Sequence, residues 1–418
     1  MDSLFKFIDS NPTAFHVVDT VKKELEAADY SELSEGDTWR LSVARRCYVT
    51  RNGSSLIAFK IPEHNIKGFH IWAAHTDSPA FRLKENPEMF FEDSYVRLNV
   101  ERYGGMILSS WLDRPLSVAG RVMVREGDAI KEKLVNIDRD LLQIPNVAIH
   151  MNGDLNKGYT YTVQNDMLPL FSDSTGKGSF ERLIAGAAGV EKEKILGSDL
   201  FLYPRQKGTY VGSDGEFMVS PKLDDQACVY AGLKGFLDSD KSDYIRVLAL
   251  FDNEEVGSGT KQGADSTFLE DTLKRICESI AFGDADYGKL LFDSFMVSAD
   301  NAHAVHPAFP GKADPTNRPY LNKGIVLKFN GNQKYATDAA SAAYFRMICE
   351  DNDIPVQTYA NQSDLPGGST LGNISTAHVS IKTVDIGLPQ LSMHSAVETM
   401  GTKDLESMVR FATCFFNR

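Results

Sequence analysis

No CxxC pair occurs in this chain, and its five cysteines, Cys47, Cys228, Cys277, Cys349 and Cys414, are odd in number. That argues against a secreted disulfide framework and for buried thiols in a reducing compartment. Basic residues are in deficit, 44 Lys and Arg against 57 Asp and Glu, for a formal net charge of −13. Such an acidic balance speaks against nucleic acid and against anionic membrane surfaces as partners. No segment approaches the ~18 continuous apolar residues of a membrane span. The opening residues, MDSLFKFIDSNPTAFHVV, lack the basic start and apolar core of a signal peptide. The cytoplasm is therefore the expected location. Internal repeats and low-complexity linkers are missing as well.

What is present suits a globular protein of more than one domain. The 418 residues exceed one simple core, since domains usually run ~100–200 residues. Hydrophobic content is 42% and charged content 24%, both ordinary. Asn11-Pro12 reads as the start of a helix, a capping side chain followed by proline. CYVTRNGSSLIAFKI reads as a hairpin around Asn52-Gly53, and FHIWAA as a strand buried on both faces. From about Glu88 to Val211 the texture is β-rich, with VRLNVERY, SVAGRVMVRE, VAIHMN and YTYTVQND as strand candidates and one helical patch near Ser179 to Ala188. After Pro221, strands and helices alternate again, which argues for a largely parallel sheet with helices on both faces. The expected architecture is α/β: a mixed, mostly parallel sheet flanked by helices, formed by residues 1–88 and 218–418. A β-rich domain, 89–217, is inserted between its strands.

The chemistry gathers behind the strands. FHIWAA is followed by His75, Thr76 and Asp77, VLALF by Asp252, Asn253, Glu254 and Glu255, SFMVSA by Asp300, and DIGLPQLSM by His394. Asp224 and Asp225 stand where a loop enters a helix. Ligands of open α/β sheets bind outside the carboxyl ends of the strands. Two histidines with several carboxylates make a metal inventory, and this many carboxylates suits a pair of cations sharing one bridging carboxylate. Two adjacent glutamates then make sense, one on a cation and the other left as a base. Each piece also has a plain reading: Asp pairs cap helices, Glu pairs are solvated, and single histidines are structural.

Six stretches, AAHTDSP, DRPLSVAGRV, SPKLDDQ, DNEEVGS, SADNAHAVHP and PQLSMHS, resemble the aspartyl aminopeptidases in sequence and in order, across nearly the whole chain. These are dizinc exopeptidases assembled as tetrahedral dodecamers built from dimers. The resemblance implies a dizinc exopeptidase fold whose inserted domain serves dimerisation and oligomerisation. It implies His75, Asp224, Glu255, Asp300 and His394 as metal ligands. Asp224 would bridge, His75 and Asp300 would complete one site, and Glu255 and His394 the other. Glu254 would be the general base, Asp77 would orient His75, and the Asp224–Asp225 peptide would be cis. Two divalent ions are implied, Zn2+ first, with Co2+ or Mn2+ also suited to such ligands.

The implied activity is hydrolysis of the N-terminal Asp or Glu from peptides with a free amino end. Lys323 is the candidate cation for an acidic side chain, with a solvated surface lysine as its plain reading. His150 is the candidate residue reaching a neighbouring subunit's active site, with a surface position as the alternative. His303 and His306 are expected to support Asp300. The loop DLPGGSTLG, Asp364 to Gly372, departs from the family's loop at Gly367. Three alternatives stay open: a neutral or basic preference, another dimetal amidohydrolase such as a carboxypeptidase or deacylase, and a binding protein that has lost activity.

Overall fold

The computed structural model describes residues 2–365 and 367–418, so Pro366 of the DLPGGSTLG loop lies outside the described residues. The chain forms two compact units. The first comprises Met1–Asp77, Gly208–Met393 and Glu398–Arg418; the second comprises Ser78–Lys207 with His394–Val397.

The first unit is built on a nine-stranded mixed sheet. Four strands at its centre, Tyr244–Phe251, Gly68–His75, Phe295–Ala299 and Lys382–Gly387, run parallel in that order. Antiparallel neighbours extend it on both sides, Ser55–Lys60 against Tyr244–Phe251 and Ile325–Phe329 against Lys382–Gly387. The central strands are buried along most of their length and carry apolar residues to both faces, because both faces are covered. Trp72, Ala74, Leu248 and Leu250 pack into one core, while Ile71, Ala73, Val247 and Ala249 pack into another on the opposite face. The helix Leu223–Asp238 lies over the first face, where Trp72 Nε1 donates to the Cys228 carbonyl at 3.2 Å. Gly232 makes that approach possible, since a Cβ there would stand 2.3 Å from Trp72 Nε1.

The sequence reading of this unit holds in most elements. The hairpin Arg46–Arg51 to Ser55–Lys60 turns through Asn52 and Gly53, both left-handed, and all eight residues of Gly68–His75 are buried. The first helix differs. An unexpected helix, Asp2–Ser10, comes before it, and the second begins only at Ala14. Asn11 is buried and does not cap; its side-chain oxygen accepts from the Thr20 hydroxyl at 2.6 Å.

The second unit carries a six-stranded antiparallel sheet whose central strands are Leu116–Glu126, Ile195–Pro204 and Ala80–Phe91. Phe81, Trp111, Val118, Phe180 and Leu202 belong to its core, which the helix Phe180–Ala188 helps to close. Two strand candidates are not strands here. VAIHMN ends in an exposed turn, and YTYTVQND leads into the short helix Val163–Asp166. Among the described residues, no helix is long and apolar enough to cross a membrane.

Candidate metal centre

Strand register sets the site. His75 is the last residue of Gly68–His75 and pairs with Phe251, the last of the neighbouring strand. The chain then passes through Asp252 and a left-handed Asn253, φ 63°, into a single 3-10 turn, Glu254–Val256. Asp300 follows the strand Phe295–Ala299, and Asp224 and Asp225 lie in the first turn of the helix Leu223–Asp238. The peptide joining these two aspartates is cis.

The side chains converge on His75. Its Nε2 lies 3.6 Å from Asp224 Oδ1 and 3.8 Å from Asp300 Oδ1. Its backbone N–H donates to Asp225 Oδ2 at 3.2 Å. On the other side of the ring, Nδ1 lies 3.4 Å from Asp77 Oδ1 and 3.1 Å from the Asp77 carbonyl. Asp77 also accepts the backbone N–H groups of Glu254 and Glu255, each at 3.2 Å, one on each carboxylate oxygen. Donor atoms of His75, Asp224, Asp225 and Asp300 lie within 4.8 Å of one another, as do those of His75, Glu254 and Glu255.

This donor set fits divalent cations. Asp77, Asp224, Asp225 and Asp300 are all buried, and Glu254 and Glu255 are half-buried beside them. Without cations, burial first, then the charges of Asp300, Asp77 and Asp224, pushes the Glu254 carboxyl up to about 8, with His75 opposing. Asp225 and Glu255 are driven well above the usual carboxylate range, chiefly by burial. Burial disfavours charge on His75, but Asp225, Asp224, Asp300 and Asp77 outweigh it and raise its imidazole well above its ordinary value. Carboxylates crowded in this way call for positive charge among them, and His nitrogen with carboxylate oxygen is a zinc ligand set.

Three contributors were given no ligand or supporting role from the sequence. Asp225 belongs to the donor cluster as well as Asp224. Glu398, buried, accepts the Asp224 backbone N–H at 3.0 Å. Lys328 is 2% exposed; its Nζ donates to the Asp300 carbonyl at 2.7 Å and lies 3.5 Å from Asp300 Oδ2. A charged residue inside the apolar strand IVLKF was the available signal for Lys328. Lys323, by contrast, is exposed at the preceding turn. His303 and His306 are also exposed, and with Lys312, Tyr359, Asn361 and Gln390 they line a cavity of about 340 Å3.

Cys228 is buried in the core and its Sγ lies 3.3 Å from Asn301 Oδ1. Gly367 takes φ 65°, and a Cβ there would stand 2.6 Å from the Asn361 amide, so glycine is required at this point of the loop. His150 is exposed in a turn of the second unit, between exposed Ile149 and Met151. His394, at φ 65°, is grouped with that unit, where its carbonyl accepts the Ile107 N–H at 3.0 Å.

Residues 7–416 match the family model for the aminopeptidase I zinc metalloproteases, M18. The chain belongs to the M18 aminopeptidase family. It is similar to the probable M18 family aminopeptidase 2 of Clostridium novyi (strain NT), at 46% identity over 411 residues, covering 96% of this chain and 95% of that protein. The corresponding protein of Ectopseudomonas mendocina (strain ymp) is 39% identical over 425 residues, covering 100% of this chain and 98% of the relative. Among solved structures, the complex of Ape4 with Nbr1 contains a chain with TM-score 0.96 and 34% identity, covering 99% of this chain and 85% of that one. The S. cerevisiae mApe1 dodecamer matches at TM-score 0.88 and 28% identity, covering 100% of this chain and 96% of that one. This M18 aminopeptidase is thus a hydrolase of a zinc metalloprotease family, and its α/β fold is that of its relatives.

Proposed function

We propose that this M18 aminopeptidase holds two divalent ions, Zn2+ in the first place, and removes N-terminal Asp or Glu from peptides. His75 and Asp300 would hold one ion and Glu255 and His394 the other, with Asp224 common to both. The observation that carries the ligand set is the convergence of Asp224 and Asp300 on His75 Nε2 at 3.6 and 3.8 Å. For His394 the support is connectivity. It lies in the loop between the paired strands Pro389–Leu391 and Glu398–Gly401, four residues before the Glu398 carboxylate that accepts the Asp224 amide.

When bound, the ions supply a water of lowered pKa and polarise the scissile carbonyl. Glu254 would take a proton from the attacking water and pass it to the leaving amine. Asp77 fixes the His75 ring through Nδ1 and fixes the Glu254–Glu255 backbone through its two oxygens. Acidic groups around the site favour a free α-amine, which limits cleavage to the first residue.

The acidic preference draws its support from the cavity lined by His303 and His306. Lys312 lines it too, and no described carboxylate does. Lys312 joins Lys323 as a candidate cation for the substrate side chain. The S. cerevisiae mApe1 dodecamer and the β-rich second unit support a homododecamer built from dimers, with the second unit as the oligomerisation domain and His150 reaching a neighbouring site. Five free thiols, four of them buried, support a cytoplasmic setting.

The test is a panel of aminoacyl substrates, free and N-acetylated, assayed with defined metals. Turnover confined to free Asp and Glu substrates, and weakened for them by Lys312→Gln, is the expected result. Equal turnover of Leu and Asp substrates overturns the acidic preference.

A further inference from the structure

The sheet of the first unit carries a second concentration of charge away from the metal centre. Arg46 pairs with Lys60, and Lys60 pairs with Arg246, across three adjacent antiparallel strands. Cross-strand partners project from the same face, so three cationic side chains share one row. Like charges placed opposite one another destabilise a sheet, and this chain is acidic overall, with a net charge of −13. The row therefore needs an explanation.

Two helix ends supply part of one. Arg46 Nη1 donates to the Ala28 carbonyl at 3.3 Å, just past the helix Ala14–Ala27. Arg246 donates to Ser239 Oγ at 2.9 Å and to the Asp240 carbonyl at 3.4 Å, just past the helix Leu223–Asp238. Helix carboxyl ends attract cations. They leave two donors unanswered. Arg246 is 2% exposed, yet its Nε has no acceptor. Lys60 Nζ has no acceptor among the described residues, and none of the three cations forms an ion pair with a described carboxylate. Burial, then Arg246 and Arg46, hold the Lys60 ammonium down to about 8, with exposed Asp240 opposing. Arg246 is buried, Lys60 half-buried and Arg46 exposed, so the row opens to solvent at one end.

We propose that Arg46, Lys60 and Arg246 form a binding site for a small oxyanion of the phosphate class. A tetrahedral dianion offers acceptors to the Lys60 ammonium and to the Arg246 Nε–H while cancelling the repulsion along the row. Charge-assisted hydrogen bonds of this kind are the strong ones, and guanidinium suits phosphate geometry. The site is remote from catalysis. Arg246 lies five residues before Phe251, and at ~3.3 Å per residue this puts it roughly 17 Å from the strand end that carries the metal ligands.

The experiment follows the thermal transition of the metal-loaded protein in inorganic phosphate, with ionic strength held by chloride, and repeats it with glycerol 3-phosphate. The wild type is expected to gain stability saturably with phosphate, as a ligand of the folded state does. Lys60→Gln is expected to unfold no earlier than wild type in chloride, and to bind phosphate at least about tenfold more weakly. A response to phosphate alone describes a pocket closed around the free ion; a response to both describes one open to monoesters. No saturable gain in the wild type overturns the proposal. Equal phosphate affinity in Lys60→Gln also overturns it, because the anion would then sit elsewhere, such as at the metal centre.

Discussion

Asp77 holds Glu254 by its backbone, its Oδ1 accepting the Glu254 amide at 3.2 Å while the same atom stands 3.4 Å from His75 Nδ1. One carboxylate oxygen thus sets the ligand-bearing strand end and the proposed base in a fixed relation. Asp77→Asn turns one acceptor into a donor facing an N–H group. Turnover and metal affinity are expected to fall together, by about 10–100-fold, as for other groups that orient a metal ligand. Kinetics and a metal-competition titration on the same preparation measure both; a loss of turnover with unchanged metal affinity would remove Asp77 from the orienting role.

Glu254→Gln separates base from ligand. The amide cannot accept the proton of the attacking water, so kcat should drop by about 10²–10⁴-fold. Metal content per chain, measured by elemental analysis, should stay at the wild-type value. Loss of metal alongside activity would make Glu254 a ligand instead.

Lys328→Met tests the buried ammonium. It deletes the donor to the Asp300 carbonyl and the charge 3.5 Å from Asp300 Oδ2. Breaking a buried pair costs about 3–5 kcal/mol, so denaturant midpoints should fall markedly. Added zinc should recover part of the loss, because a bound cation compensates Asp300. A midpoint unchanged by the substitution would contradict this.

Acid should find a weak point at His70. The ring is 1% exposed, stacked 3.8 Å from Tyr244 and 4.7 Å from Phe415, and burial lowers its pKa to about 3. The folded value lies below the ordinary 6.5, so the folded state binds fewer protons than the unfolded chain between them. The contribution of neutral His70 is complete above pH 6.5 and is lost as pH falls toward 3. At pH 5 this loss is on the order of 2 kcal/mol. His70→Phe should lose less stability than wild type between pH 7 and pH 5, read from urea unfolding at each pH.

Much of this site was legible because strand ends are legible. FHIWAA, VLALF and SFMVSA are continuous apolar runs, and polar residues directly after them had to lie at the sheet edge. The rest escaped for physical reasons. Lys328 sits inside such a run, and nothing local shows that a strand's single charge answers a carbonyl and carboxylate 28 residues earlier. Glu398 acts on the backbone of Asp224 from 174 residues away. Lys323 and Lys328 are alike as letters, and only burial separates them. Asn11 had the composition of a cap but spent its side chain on Thr20. VAIHMN and YTYTVQND are rich in strand-forming residues, yet propensity needs a pairing partner to become a strand.

The bond between Glu398 and Asp224 has a consequence for synthesis. A ribosome makes the chain from its amino end, so His75 and both central aspartates emerge long before the residue that steadies Asp224. Until almost the last strand is translated, the cradle lacks one wall. A nascent or truncated chain ending before Glu398 should therefore be a poor peptidase.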